Sequence, residues 1–325
     1  MGSACASGSD RAGVRMDASK CVTGATGFIA GHVTAQLVAA GHSVRGTVRD
    51  TASVDADALR SLPHGSERLE LIEADLLQPR PFYRAVAGCE TVFHVAAPFV
   101  FATSDPAVDL VAPAVDGTLD VLRACAAAPT VRRVVFTSSI GAVVGIPDGT
   151  VIDEDDWNTY SRVDNNPYYY AKTQAERAAW RFMEEHRPPF DLVSVCPGQV
   201  LGPSYRATVG TSVGNMRDLM TGAIPVITDL DVPYVDVRDV ADAHIRASES
   251  PDAHGRYLCI AGVVTTRQLV ATVKSLGFAD YPFPRLSLDS PMGTRIARIA
   301  IRAQPRGLRQ YLKAFIGRRL SIDNT

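Results

Sequence analysis

Tyr168 is followed four residues later by Lys172, and of the ten tyrosines it alone has that partner. On a helix, positions four apart share a face and lie about 6 Å apart, so an ammonium can stand beside a phenol. A neighbouring positive charge favours the phenolate, which brings the phenol closer to the range where it gives and takes a proton. The apolar run Val131 to Thr137 ends in Ser138 and Ser139. This places hydroxyls at the carboxyl end of a strand, where open parallel sheets bind ligands. Ser139 is the candidate for binding a carbonyl oxygen, with Ser138 as the alternative. A phenol, a tuning ammonium and a hydroxyl suit protonation of a carbonyl oxygen as hydride reaches its carbon.

The loop Thr23-Gly24-Ala25-Thr26-Gly27-Phe28 supplies the other half of such chemistry. It lies between an expected strand and an expected helix, where free N–H groups and the positive helix end can hold a pyrophosphate. Glycine permits the close backbone approach that a side chain would block. The pattern is Gly24-x-x-Gly27-x-x-Ala30, with Gly31 one position after the usual third glycine. At the end of the second strand, Arg45-Gly46-Thr47-Val48-Arg49 contains no carboxylate before Asp50. An NAD site usually has an acidic residue there for the ribose; the Arg49 guanidinium instead suits the 2′-phosphate of NADP. Asp75, after the third strand, either approaches the adenine or caps its own loop.

These residues need an alternating α/β scaffold. Apolar runs at Lys20 to Thr23, Ser43 to Val48, Leu69 to Glu73, Thr91 to Val95, Val131 to Thr137, Leu192 to Cys196 and Arg256 to Ile260 predict strands. Helical spacing between them predicts a parallel sheet covered on both faces. In the first helix Ile29, Val33 and Leu37 share a face, and Gly41 is placed to stop it. The fold predicted is a doubly wound sheet over 17–197, completed by 232–262, with a smaller lobe from 198–231 and 263–325. Residues 1–16, rich in Gly, Ser and Ala, are expected to be a disordered extension.

Composition narrows the function. The 325 residues are 46% hydrophobic and 21% charged, enough for a large core, and the net charge of −2 gives no footprint for nucleic acid. A continuous apolar stretch of membrane-spanning length is missing, so no membrane partner is expected. The six cysteines are scattered through apolar segments, which predicts reduced thiols in a cytoplasm rather than a disulfide framework. Neither their spacing nor any Cys/His cluster points to a metal.

Five segments together carry a family resemblance: Thr23 to Ala30, Val44 to Asp50, Phe93-His94-Val95-Ala96-Ala97-Pro98, Phe136 to Ser139, and Tyr168-Tyr169-Tyr170-Ala171-Lys172. They resemble the extended short-chain dehydrogenases/reductases, in particular the branch of dihydroflavonol reductase, cinnamoyl-CoA reductase and yeast-type methylglyoxal or ketone reductases. The resemblance implies catalytic roles for Ser139, Tyr168 and Lys172, and a 2′-phosphate contact at Arg49. It implies cofactor contacts at Thr23, Gly24, Thr26, Gly27, Phe28 and Ile29, at Asp75 and Leu76, and at Ala96 and Ala97, with Pro197 to Val200 as a wall along the nicotinamide. Cys196 departs from the family, where Asn often precedes that proline.

Other residues carry plainer expectations. His94 is expected to be packed rather than catalytic, Asp239 to cap a helix, and Asp153 to Asp156 to form a solvated loop anchored by Trp157. Phe99, Val100 and Phe101 either line a substrate pocket or cover the sheet. The function expected is NADPH-dependent reduction of an aldehyde or ketone by a monomer or homodimer acting on a small carbonyl compound. The alternatives are a hydroxysteroid-type dehydrogenase or nucleotide-sugar epimerase of the same superfamily, and a non-catalytic NADPH sensor.

Overall fold

A computed structural model describes residues 20–78, 80–98, 103–145, 149–206, 210–303, 312 and 315–323. The expectations for residues 1–16 and for Phe99, Val100 and Phe101 lie outside the described residues. Strand β1 (Lys20–Val22) leads to helix α1 (Phe28–Ala39), β2 (Val44–Val48) to α2 (Val54–Arg60) and α3 (Gly65–Arg68), and β3 (Leu69–Glu73) to α4 (Arg80–Val86). After β4 (Thr91–His94), a π-helical turn at Ala107–Val111 enters α5 (Ala112–Ala126). β5 (Arg133–Thr137) runs into a 3-10 turn at Ile140–Ala142, followed by β6 (Val151–Ile152), α6 (Pro167–His186) and β7 (Asp191–Pro197). Then come β8 (Gln199–Leu201), α7 (Thr211–Met220), β9 (Val226–Thr228), β10 (Asp231–Asp236), α8 (Val237–Glu249) and β11 (Gly255–Cys259). The last elements are β12 (Gly262–Thr265), α9 (Thr266–Val273), β13 (Leu286–Leu288), α10 (Pro291–Ala300) and β14 (Ser321–Ile322).

The seven expected strands form one parallel sheet in the order β11-β7-β5-β4-β1-β2-β3. Alternation along each strand divides the core into two layers. Val134 and Phe136 of β5 face the layer containing Phe82, Leu122, Ala175 and Phe182, whereas Val135 faces Val33, Leu37 and Ala241. Both faces are therefore covered by helices, as a parallel sheet requires. A Leu or Phe buried this way stabilises the fold by about 1.5–3 kcal/mol, so the apolar runs dominate the architecture.

The strand order reverses between β1 and β4. Loops leaving those two strands diverge there and open a crevice at the carboxyl edge of the sheet. The glycine loop follows β1, the Ala96-Ala97 loop follows β4, and Ser139 follows the adjacent β5. A second sheet, β12-β10-β8, and the pair β13-β9 stand apart from the main sheet. Gly198 lets β8 leave β7 closely, because a Cβ there would lie 2.5 Å from the Pro233 carbonyl oxygen.

Local signals explain the helix ends. Gly41 adopts φ 91°, and the N–H groups of Gly41 and His42 close α1 on the carbonyls of Val38 and Leu37. Asn166 caps α6 by accepting from the Tyr169 N–H, and Pro167 occupies its first turn. The cap of α8 is Asp236, which accepts from the Arg238 N–H at 2.8 Å, and not Asp239. β10 passes into α8 without a loop, so the chain turns three residues earlier than expected; Asp239 falls in the first turn, where its charge still favours the helix dipole.

Candidate active site

Ser139, Tyr168 and Lys172 converge. β5 delivers Ser139 into the turn before α6, where its hydroxyl accepts from the Gly141 N–H at 3.0 Å. Gly141 is required there, since a Cβ would meet the Tyr169 ring at 2.8 Å. The Ser139 hydroxyl lies near enough to the Tyr168 phenol to lower its titration. One turn along α6, the Lys172 ammonium donates to the Thr137 carbonyl at 3.3 Å, so the helix is fastened to the strand that carries Ser139. Only 9% of Ser139 and 8% of Lys172 is exposed. A small cavity touches Tyr168, Lys172, Ala96, Ala97, Pro98 and Leu110, which brings the β4 loop to the same spot.

Burial controls the titration of this group. It lowers the Lys172 ammonium to about 8, against the opposing pull of Glu176. Burial also raises the Tyr168 phenol, and only the Ser139 hydroxyl acts the other way. The expected lowering by Lys172 is thus not the governing effect. The phenol end is desolvated while the ammonium is directed to a carbonyl, and desolvation disfavours phenolate.

The glycine loop is pinned on two sides. Gly24 N–H donates to the Thr47 hydroxyl at 2.9 Å and Ala25 N–H to the Thr47 carbonyl at 2.7 Å, which ties it to β2. Gly24 has φ 65°, and a Cβ there would lie 3.1 Å from Ala96 Cβ. Gly27 caps α1 without a side-chain hydrogen bond, leaving first-turn N–H groups for an anion. This cradle, which a Cβ would fill, fits a dinucleotide pyrophosphate. Phe28 and Ile29 pack on Val200 in one small cluster, so the chain after Pro197 closes against the start of α1.

The remaining expected residues lie around this edge. Thr26 is partly exposed in the loop and Arg49 is exposed after β2. The Asp75 carboxylate accepts from the Leu77 N–H at 3.0 Å, and Leu76 packs against Gly117 of α5. Thr23 is fully buried, and its hydroxyl accepts from the N–H groups of Val95 and Ala96. Its contribution is to clamp the β1 and β4 loops together. The same hydroxyl lies 3.0 Å from Nδ1 of His94, whose Nε2 is 3.3 Å from the Thr118 hydroxyl. Thr118 in turn donates to the Ala114 carbonyl. Burial, with Lys172 adding to it, lowers His94 to about 3, so it is a neutral packing group.

Sequence reasoning missed Glu176 and Arg256. Glu176 follows Lys172 by four residues, the same spacing that singled out Tyr168, and this was the available signal. The acidic loop is also more than a solvated run. Arg256 donates to the carbonyls of Glu154 and Asp156, and the Glu154 carboxylate accepts from the Leu258 N–H. Trp157 does anchor the loop, lying under the Arg256 guanidinium at 3.9 Å.

The fold and this edge define an oxidoreductase built on a dinucleotide-binding sheet. A family model described as the NAD dependent epimerase/dehydratase family matches residues 21–261. The chain is 44% identical to cinnamoyl-CoA reductase 1 of Petunia hybrida over 274 residues, covering 83% of this chain and 80% of that one. It is 37% identical to dihydroflavonol 4-reductase of Zea mays over 282 residues, covering 84% and 78%. Among solved structures, Gre2 of Candida albicans in complex with NADPH superposes with a TM-score of 0.71 at 30% identity, covering 94% of this chain and 90% of that one. The chain belongs to the NAD dependent epimerase/dehydratase family, as one of the extended short-chain dehydrogenases/reductases. It is an oxidoreductase acting on carbonyl and alcohol groups.

Proposed function

We propose that the protein reduces an aldehyde or ketone to an alcohol with NADPH, reversibly, using Tyr168, Lys172 and Ser139. The carrying observation is the convergence of Ser139 and Tyr168 beside a buried Lys172 that is tied to the Thr137 carbonyl, at the edge where the glycine cradle opens. Bound NADPH supplies hydride. The Tyr168 phenol, which burial keeps protonated, donates its proton to the substrate oxygen. The Ser139 hydroxyl donates to that oxygen and stabilises its developing charge. Lys172, charged below about pH 8, favours the phenolate left behind.

Gly24, Thr26, Gly27, Phe28 and Ile29 would hold the pyrophosphate side, with Thr23 clamping the loop. Arg49 would take the 2′-phosphate, Asp75 and Leu76 the adenine side, and Ala96, Ala97, Pro197 and Val200 the nicotinamide side. A cation at position 49 favours NADPH over NADH and argues against an NAD-retaining epimerase. The cofactor domain spans 17–197 with 232–262, and the lobe of 198–231 and 263–325 selects the small carbonyl substrate. Among the described residues the five cysteines are free thiols, four of them buried, which suits a reducing cytoplasm, where the protein works as a monomer or homodimer.

The test follows loss of NADPH absorbance with a panel of aldehydes and ketones. Tyr168→Phe lowers kcat by about a hundredfold or more and leaves the Kd for NADPH within about twofold. Full turnover in that variant refutes the assignment.

A further inference from the structure

Glu176 lies one turn beyond Lys172 on the same face of α6, and none of it is exposed. Its carboxylate accepts from Ser138 Oγ at 2.5 Å, from Arg256 Nε at 2.8 Å and Nη2 at 3.2 Å, and from Trp180 Nε1 at 3.3 Å. A carboxylate so completely removed from water is costly unless paired, and a plain structural tie between α6 and β11 needs only Arg256. The additional bond goes to the residue directly before Ser139. The Ser138 N–H is itself fixed to the Val195 carbonyl at 2.8 Å. The backbone of that turn is therefore held by β7 and its side chain by α6.

We infer that Glu176 is a positioning residue for the reaction: through Ser138 it fixes the turn that directs Ser139 at Tyr168, and one turn along α6 it sets a carboxylate on the face that carries Lys172. The inference rests on the roles given above to Tyr168, Lys172 and Ser139. Lys172 is faced by Tyr168 and Glu176 on α6, by His94 on β4 and by Cys196 on β7, with Arg256 of β11 behind Glu176. His94 is neutral, and burial pushes the Cys196 thiol up, so it stays neutral too. Glu176 is then the only carboxylate among those named groups. It is also foremost among the influences that oppose the lowering of Lys172 by burial.

The test uses the full chain with NADPH and a carbonyl compound that it reduces. Glu176→Gln lowers kcat about tenfold, moves the alkaline limb of its pH profile about one unit toward acid, and leaves the NADPH Kd within about twofold. Ser138→Ala keeps the ion pair and the charge; it lowers kcat about fivefold with the alkaline limb unmoved. A merely structural role would lower the melting temperature of either variant and spare both kcat and the limb. Wild-type kcat in Ser138→Ala, or a wild-type limb in Glu176→Gln, overturns the inference. If Glu176→Gln does not fold, Ser138→Ala decides alone. Tyr168→Phe run in parallel separates the two readings. When it is inactive, wild-type behaviour of the other variants sinks only the role of Glu176; when it is active, the catalytic assignment falls and this inference with it.

Discussion

The Lys172 ammonium donates to the carbonyl of Thr137 at 3.3 Å, so the helix bearing the phenol is fastened to the strand bearing the serine. Both are buried, and the bond fixes the spacing between α6 and β5 while leaving Lys172 with little water.

That desolvation sets a pH dependence. Burial holds Lys172 near about 8, so its charge is complete below that pH and is lost as pH rises through it. Carbonyl reduction should have an alkaline limb near pH 8, well below an ordinary lysine. A kcat profile that stays flat to pH 10 contradicts this.

Cofactor choice should depend on Arg49. Arg49→Ala removes charge-assisted hydrogen bonds worth about 1.5–3 kcal/mol, weakening NADPH binding by about 10- to 100-fold and sparing NADH. Fluorescence titration with both cofactors measures the difference. Equal losses would place the guanidinium away from the 2′-phosphate.

Gly46 supports the cradle from below. A Cβ at position 46 would lie 2.7 Å from Ala25 Cβ and 3.0 Å from Leu71 Cδ2. Gly46→Ala therefore overpacks the core, costs about 1–3 kcal/mol, and displaces the pyrophosphate loop. Denaturant unfolding should record the loss of stability, and titration should show weakened NADPH binding. Unchanged values for both would mean that the loop yields without cost.

Two buried histidines make the fold acid-sensitive. Burial lowers His94 to about 3 and His244 to about 4, from 6.5 in the unfolded chain. The unfolded chain then binds protons that the native state does not, so stability falls as pH drops through about 6.5. Between pH 7 and pH 5 each histidine should remove about 2 kcal/mol. Urea unfolding at the two values checks the slope, and equal midpoints would exclude it.

Much of the site could be read from local spacing. Tyr168 and Lys172 share a helical face because they are four apart, and Ser139 reaches the sheet edge because an apolar strand ends before it. Gly24 and Gly27 mark the turn between β1 and α1 for the same local reason. The helix start at Asp236 was misread because nothing in the sequence announced that β10 would enter α8 without a loop.

The sequence alone determined the alternating strands and helices, the order in which the reactive groups arrive, and a cation where an NAD enzyme usually has a carboxylate. These properties depend on periodicity, and periodicity is local. Only the tertiary structure decided that burial raises the Tyr168 phenol, that Thr23 clamps two loops through contacts more than seventy residues away, and that Glu176 meets Arg256 beside Ser138. Desolvation and long-range pairing depend on what the whole chain places around a group, and no neighbouring residue in the sequence specifies that.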